Sequence, residues 1–253
     1  MMKRLIFSTF ILFLAAFYAP AVTRYFVDET LRYRVMYKWG LINKQAGTAT
    51  LTIREHGDRY KTMLTAHSEP WADKVYCVRD TLNGIIQKNG LKPLYYEKIA
   101  HEGAEDKHDT VKFSYDGNKV TGHTTRKVVK KGELKRDDKL VHTAEGLTVD
   151  MLSSFYIMRS LPFESWQPGH QEKMTIFSGK TKEMLTFDYH GIERVQVGEK
   201  HYQCFHITFI FTGDSGKKTS DDMDAWITTG NTRTPVLLEG KLPVGKVKCE
   251  LIN

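Results

Sequence analysis

The densest group of potential metal ligands is a polar stretch near the middle of the chain. Two histidines and four acidic residues fall within residues 101–109, and imidazole and carboxylate groups are ordinary zinc ligands. Their spacing matches none of the common metal-binding motifs. A strand pattern precedes the stretch and a hairpin pattern follows it. We therefore expect a long polar loop here and assign no metal-ligating residue.

A second acidic group could serve glycoside hydrolysis. That chemistry needs two carboxylates on opposite sides of a substrate cleft, roughly 5–10 Å apart. Asp221, Asp222 and Asp224 follow a Gly-Asp-Ser-Gly turn, where acidic side chains are usually solvated. The separation of such groups depends on the fold, so a glycan-active enzyme whose carboxylates meet in space stays open as an alternative.

The sequence lacks the motifs of several other enzyme classes. No serine lies in a Gly-x-Ser-x-Gly elbow, and no cysteine has the sequence signature of a nucleophile. No Gly-rich phosphate loop or dinucleotide fingerprint occurs. We therefore predict no catalytic residue and no cofactor, and we favour a non-catalytic protein over an enzyme.

The tryptophans are the remaining candidates for ligand contacts. Flat apolar rings stack on sugar faces or line acyl chains, although core packing is the commoner role of any one tryptophan. We single out Trp39, Trp166 and Trp226 as candidate ligand-lining residues. Such residues would suit a lipid, amphipathic or glycan ligand.

The first residues have the three parts of a cleavable secretory signal peptide. Lys3 and Arg4 form a positive region, and residues 5–17 form an apolar run interrupted only by a serine and a threonine. Small residues then predict cleavage between Ala21 and Val22. The apolar run is shorter than the ~20 residues of a membrane-spanning helix, so we expect residues 1–21 to be removed and no transmembrane anchor to remain. Residues 22–253 should form a single exported domain, in the periplasm or cell envelope.

The charges and cysteines exclude several partners and a disulfide scaffold. The formal net charge is +7, and the densest basic stretch, residues 126–139, also contains three acidic residues. This mixture predicts a solvated hairpin and no nucleic-acid partner. Three cysteines cannot all pair with one another. Buried free thiols are favoured for Cys204 and Cys249, although a bond between these two stays open.

Alternation of apolar and polar residues recurs along most of the chain. In residues 31–38 the odd positions are Leu, Tyr, Val and Tyr, and residues 47–53 alternate again after a turn. Successive side chains of a strand point to opposite faces, so the two runs predict a hairpin. Roughly a dozen such segments occur. The sequence therefore predicts an all-β, mainly antiparallel fold: an open or incomplete β-barrel or curved sheet of roughly a dozen strands, with a sandwich as the alternative.

One segment has helical periodicity instead. Apolar residues in residues 148–161 recur at three-to-four spacing, with Thr148 available as N-cap and Pro162 after the last turn. Its broad apolar face predicts a buried α-helix. Residues 71–78 are a second, shorter helix candidate.

Three segments resemble a known family. Residues 146–161 (GLTVDMLSSFYIMRSL) resemble the helix, ending in an aromatic residue and an arginine, of exported bacterial proteins that carry domain of unknown function 3108. Residues 224–251 resemble the family's closing pattern of a tryptophan strand, a polar turn, Arg-x-Pro and a final strand, and residues 33–53 resemble its first hairpin. The resemblance implies an exported, antiparallel β protein that holds its helix against a concave sheet, and it brings no activity or catalytic residue. Residues 228–231 lack an acid that the family often carries in this turn, so we assign the turn no ligand role.

These observations favour one function over two alternatives. We expect a non-catalytic binding protein of the cell envelope that holds an apolar or amphipathic ligand in its concave sheet. A glycan-active enzyme is the first alternative. An envelope assembly or interaction module, recognisable by an exposed strand edge, is the second. The sequence leaves the oligomeric state open.

Overall fold

Fifteen β-strands form one continuous sheet in the computed structural model. The structure describes residues 25–213, 215–242 and 244–252, so the predicted signal peptide and the cleavage point between Ala21 and Val22 lie outside the described residues. The all-β, mainly antiparallel character is confirmed, with more strands than the expected dozen. No helix in the described ranges is long and apolar enough to cross a membrane.

The first eight strands and a one-turn helix come from the N-terminal half of the chain. Leu31 and Tyr33 of the first strand are buried, whereas Arg32 between them is exposed, as the alternating pattern predicts. The elements are β1 Glu29–Trp39, β2 Ile42–His56, β3 Arg59–Ser68, α1 Pro70–Asp73, β4 Val78–Gln87, β5 Pro93–Glu102, β6 Glu105–Asp116, β7 Lys119–Lys130 and β8 Glu133–Glu145.

The C-terminal half supplies seven strands and the longer helix. Phe205, Ile207 and Phe209, which alternate along one strand of this half, are buried in the core. The elements are β9 Thr148–Val149, α2 Met151–Ser160, a 3-10 turn Phe163–Ser165, β10 Gln171–Phe177, β11 Lys182–Val197, β12 Lys200–Gly213, β13 Met223–Thr228, β14 Pro235–Lys241 and β15 Lys246–Leu251.

The strands follow one another through the sheet as antiparallel neighbours. β1 lies between β2 and β15, so the order runs from β8 down to β1 and then from β15 down to β9. The pairing of Tyr33 with Leu251 and of Lys38 with Lys246 joins the two halves of the chain. Only the short β9 runs parallel to its neighbour, β10, among the described strands.

Helix α2 fills the concave side of the sheet. It packs against β3, β4 and β10, with Leu152 and Tyr156 fully buried, which confirms the predicted buried helix. The prediction of Thr148 as N-cap was wrong. Thr148 belongs to β9, and the carboxylate of Asp150 caps the helix by accepting hydrogen bonds from the backbone N–H groups of Leu152 (2.9 Å) and Ser153 (2.8 Å).

The two ends of the sheet approach each other and nearly close a barrel. Phe177, at the end of β10, is fully buried and stacks on Phe113 of β6 at a centroid distance of 5.8 Å. A Cβ atom at Gly122 of β7 would lie 2.5 Å from the Phe177 ring, so glycine permits this approach. The predicted open or incomplete barrel is therefore confirmed, and a sandwich is excluded.

Four local predictions have clear outcomes. Residues 126–139 form the β7–β8 hairpin as expected. Residues 101–109 are not a long loop, because β5 and β6 continue through them and leave a turn only at residues 103–104. The helix predicted for residues 71–78 is shorter, since α1 covers Pro70–Asp73. The three cysteines are free thiols, with Cys204 buried and Cys249 half-buried.

Candidate ligand-binding cavity

A largely apolar cavity of about 500 Å³ lies on the concave side, at one end of the sheet. Val35 and Tyr37 line it, and they continue the inward-facing row of β1 beyond Leu31 and Tyr33. The lining also includes Ala66 of β3, Val247 of β15 and four residues of α1 and the segment after it, Trp71, Ala72, Val75 and Tyr76. Buried, apolar pockets of this size are typical of small-molecule sites.

The cavity exists because small residues replace large ones on β2. Ala46 is the extra residue of a β-bulge, since Val35 pairs with Gly47 whereas Met36 pairs with Gln45. A Cβ atom at Gly47 would lie 2.5 Å from the carbonyl oxygen of His67. Glycine is therefore required for this close approach of β2 to β3, and it adds no side chain to the cavity lining.

The same bulge holds α1 over the cavity. The indole N–H of Trp71 donates to the carbonyl of Gln45 (2.7 Å), and the N–H of Glu69 donates to the carbonyl of Ala46 (2.8 Å). Trp71 thereby presents its ring to the cavity, as a wall between the ligand space and solvent.

An ion pair fixes the far end of α1. The guanidinium of Arg79 contacts both carboxylate oxygens of Asp73 (2.6 and 3.1 Å), and the Ser68 hydroxyl also donates to Asp73. Hydrogen bonds from Arg79 and Ser68 lower the pKa of the Asp73 carboxyl below its ordinary value. This carboxylate therefore stays charged at neutral pH and keeps the short helix in place.

The mouth of the cavity is surrounded by exposed apolar side chains, which we name the apolar rim. Seventeen large apolar side chains are exposed among the described residues, and seven of them cluster here. A set of this kind is unusual on the surface of a monomeric protein and marks a site of interaction. The rim consists of Trp39, Leu41, Ile42, Val75, Tyr76, Leu242 and Val244.

The three tryptophans predicted to line a ligand site lie in three different environments. Trp39 belongs to the rim and is 55% exposed. Trp166 packs in the main core against Phe163, with ring centroids 5.2 Å apart. Trp226 lies on the convex face, stacks on His206 at 4.6 Å and donates to Glu193.

Trp71 lines the cavity although the sequence analysis did not single it out. A signal for it was present in the sequence: Trp71 directly follows Glu69-Pro70, between two alternating strand patterns. A tryptophan in such a connection belongs to no inward-facing row of a strand. Its apolar ring therefore has to pack against another apolar surface, which here is the cavity lining.

A second cleft, of about 290 Å³, is polar and lies on the concave face of β4–β7. The carboxylate of Glu102 accepts from Lys98 (2.6 Å) and Lys107 (2.7 Å). Burial raises the pKa of Glu102, but these lysines outweigh that effect and hold it at about 2. Burial raises the pKa of neighbouring Asp80 to about 6. Most charged side chains of this network are therefore paired with one another.

The histidines of residues 101–109 pair with carboxylates. His101 Nδ1 lies 2.6 Å from Asp106 Oδ1, and His108 Nε2 lies 2.8 Å from Glu97 Oε1. Within the described ranges, no three His, Cys, Asp or Glu side chains are placed to hold a metal ion.

Fold and cavity define a barrel-like, antiparallel β protein whose concave side is filled by one helix at one end and open at the other. A family model matches residues 32–252, and the chain belongs to that family, described as protein of unknown function (DUF3108). The resemblance seen in the sequence is thus confirmed. Among curated proteins, none matches the sequence.

A solved structure shares the fold. The crystal structure of a β-barrel-like protein of domain of unknown function DUF1849 from Brucella abortus is similar with a TM-score of 0.61. The match covers 91% of this chain and 98% of that chain at 10% sequence identity. At such low identity the likeness shows the architecture alone.

The two arginines of the recognised sequence patterns meet in the core. Arg159, near the end of α2, donates from Nε to the carbonyl of Arg233 (2.8 Å). Arg233 lies over the ring of Phe205 at 4.3 Å and is buried. Both side chains therefore hold the helix to the sheet, at a distance from the cavity lining.

Proposed function

We propose that this protein is a non-catalytic binding protein for a ligand with an apolar chain, and that the cavity beneath α1 holds that chain. The observation that carries the proposal is an apolar cavity of about 500 Å³ that opens at the apolar rim. Each methylene moved from water into such a cavity contributes ~0.8 kcal/mol. An alkyl chain is therefore the ligand class that gains most from this site.

The polar atoms near the cavity suit an amphipathic ligand. Ser68 is among its lining residues, and the ammonium group of Lys44 lies 5.0 Å from the centroid of the Trp71 ring. A ligand with a charged or polar head could keep that head near these groups and solvent while its chain lies inside. Fatty acids and lipids have this construction.

A cavity-filling substitution tests the proposal. Ala66→Trp places an indole in the cavity, so we expect its affinity for long-chain fatty acids to fall by about tenfold or more. The measurement is a titration with fatty acids from octanoate to stearate, followed by calorimetry or tryptophan emission.

Thr65→Trp is the matched control, because its side chain points to the opposite face of β3. We expect this variant to bind as the wild-type protein does. Unfolding midpoints of both variants identify any loss caused by misfolding. A wild-type protein that binds none of these chains would remove the support for the proposal.

Export to the periplasm or cell envelope is part of the proposal, and the N-terminal sequence supports it. The expected result is that cells expressing the full chain accumulate a shortened protein beginning at Val22. N-terminal sequencing of the protein from fractionated cells measures this. Full-length protein confined to the cytoplasm would contradict export.

The two alternatives receive less support from the geometry. Asp109 and Glu183 line the polar cleft, but no tryptophan is among its lining residues. Its aromatic lining residue, Tyr96, is fully buried, so the cleft lacks an exposed ring on which a sugar could stack. The outermost strand β8 pairs with β7 alone among the described strands. Its central residues, 135–139, are all charged, a composition that discourages pairing with another strand.

A further inference from the structure

We propose that the apolar rim docks this end of the barrel onto an anionic lipid bilayer. The inference goes beyond ligand binding, because Trp39, Leu41 and Ile42 of the rim lie outside the cavity lining. It rests on three observations: the rim residues share one surface, their side chains are exposed, and lysines without ion pairs accompany them.

Contacts between three segments place the rim on one end of the sheet. Residues 39–42 cover the end of β1, its turn and the start of β2. Residues 74–77 follow α1, and residues 242, 244 and 245 lie between β14 and β15. The hydroxyl of Tyr37, near the end of β1, donates to the carbonyl of Val244 (3.0 Å), which ties β1 to the third segment. The Trp71 bond to Gln45 ties α1, which directly precedes the second segment, to β2.

The rim side chains leave much of their apolar surface exposed in the described structure. Leu41, at the tip of its turn, is fully exposed, and Val75 is 83% exposed. A turn tolerates polar residues at such positions, so large apolar side chains there need an apolar partner outside the chain. Trp39 and Tyr76 add amphipathic rings, which favour the boundary between lipid headgroups and acyl chains.

Five lysines accompany the rim in segments 38–46, 69–77 and 241–247. All are exposed, and none forms an ion pair with another described residue. The acidic residues of these segments are already engaged, because Asp73 pairs with Arg79 and Glu69 accepts from Gln45. The lysines are Lys38, Lys44, Lys74, Lys241 and Lys246.

This combination identifies the partner as an anionic bilayer. Basic side chains beside an interfacial apolar surface are attracted to acidic lipids. A second copy of the chain would bring the same lysines face to face, and their repulsion opposes such a dimer. Docking would place the mouth of the cavity against the lipid, so an apolar chain could move between bilayer and cavity without crossing water.

Vesicle co-sedimentation tests the docking surface. The protein is purified as exporting cells produce it, so all variants have the same N-terminus. We expect binding to phosphatidylglycerol-containing vesicles, little binding to pure phosphatidylcholine, and weaker binding as salt rises. The variants Leu41→Ser with Ile42→Ser, and Lys74→Glu with Lys246→Glu, should each weaken binding by about tenfold or more.

Matched controls carry the same changes elsewhere on the surface. Val141→Ser with Ile192→Ser removes two apolar groups that are 62% and 60% exposed, and Lys119→Glu with Lys200→Glu reverses two exposed charges at the opposite end. Both controls should bind vesicles as the wild type does. Wild-type protein that ignores anionic vesicles, or rim and control variants with equal binding, would overturn the inference. The inference would also be overturned if the wild-type protein were a dimer that the rim substitutions dissociate and the control substitutions do not.

Two measurements separate this inference from the proposed function. The Leu41 and Ile42 variant should keep the wild-type affinity for a fatty acid in solution, because neither side chain lines the cavity. Ala66→Trp should keep vesicle binding while it loses fatty-acid binding. Failure of docking with retained ligand binding would therefore overturn the docking surface alone.

Discussion

Replacement of Arg159 by methionine is expected to lower the free energy of unfolding by about 3–5 kcal/mol. The side chain of Arg159 is 1% exposed and makes two contacts with the carboxylate of Glu29, at 2.7 and 3.0 Å. It also donates to the carbonyls of Thr232 and Arg233, each at 2.8 Å. Methionine fills similar space but leaves the carboxylate and both carbonyls without these donors. The loss is large because these acceptors then stay away from water without hydrogen-bond partners.

Urea unfolding followed by circular dichroism measures this effect. Arg59→Met is the matched control, because the Arg59–Asp58 pair is exposed and 3.5 Å long. Pairs of this kind contribute ~0–1 kcal/mol, so the control should unfold near the wild-type midpoint. Equal midpoints for the two variants would contradict a structural role for the buried arginine.

Asp150→Asn is expected to gain stability relative to the wild-type protein as the pH rises. Asp150 is fully buried, and burial raises its pKa to about 6 from an ordinary value of 3.8. The folded protein therefore favours the protonated carboxyl. The stability that this group contributes is complete below about pH 4 and is lost as the pH rises through about 6.

The size of the change follows from the pKa difference. The wild-type protein should lose on the order of 3 kcal/mol at this site between about pH 4 and about pH 7.5. Asparagine does not titrate, and its carbonyl can still accept from the N–H groups of Leu152 and Ser153. Other titrating groups, such as Asp80, are common to both proteins and cancel in the comparison.

Denaturant unfolding of both proteins at the two pH values provides the measurement. Asp150→Ala is the control for the cap itself. Its loss of ~1–3 kcal/mol relative to Asp150→Asn should appear at both pH values, since neither variant titrates at this site and two buried N–H groups lose their acceptor in the alanine variant. Parallel pH dependence for the wild-type protein and Asp150→Asn would show that burial does not govern the protonation of this carboxyl.

Local patterns in the sequence predicted much of the secondary structure. Alternation in residues 31–38 and 47–53 predicted the β1–β2 hairpin, and mixed charges in residues 126–139 predicted the β7–β8 hairpin. Helical spacing located α2, although not its cap. Thr148 and Asp150 are both good N-caps, and the choice between them depends on whether Thr148 pairs with β10, a contact between distant segments.

The candidate site depended on relations that no local pattern contains. Alternation separates the two faces of a strand but does not say which face is concave, so the strand residues Trp39 and Trp226 were equivalent in sequence and lie in the rim and on the convex face. Trp166 lies outside the strands and packs against the core. The cavity needs the bulge at Ala46, the missing side chain at Gly47 and the placement of Trp71 by Gln45. These residues meet through the pairing of β2 with β3 and the contact of α1 with β2, and Val247 joins the lining because β15 pairs with β1.

The sequence by itself therefore determined the class of fold, the buried helix and the family, because each follows from periodicity or from local motifs. The tertiary structure alone decided the closure of the barrel, the cavity, and which groups meet. The physical reason is that β pairing joins residues far apart in the chain, such as Tyr33 and Leu251. Hydrophobic burial drives such pairing, but it is non-directional, so the local sequence of a strand does not specify which other strand will pair with it.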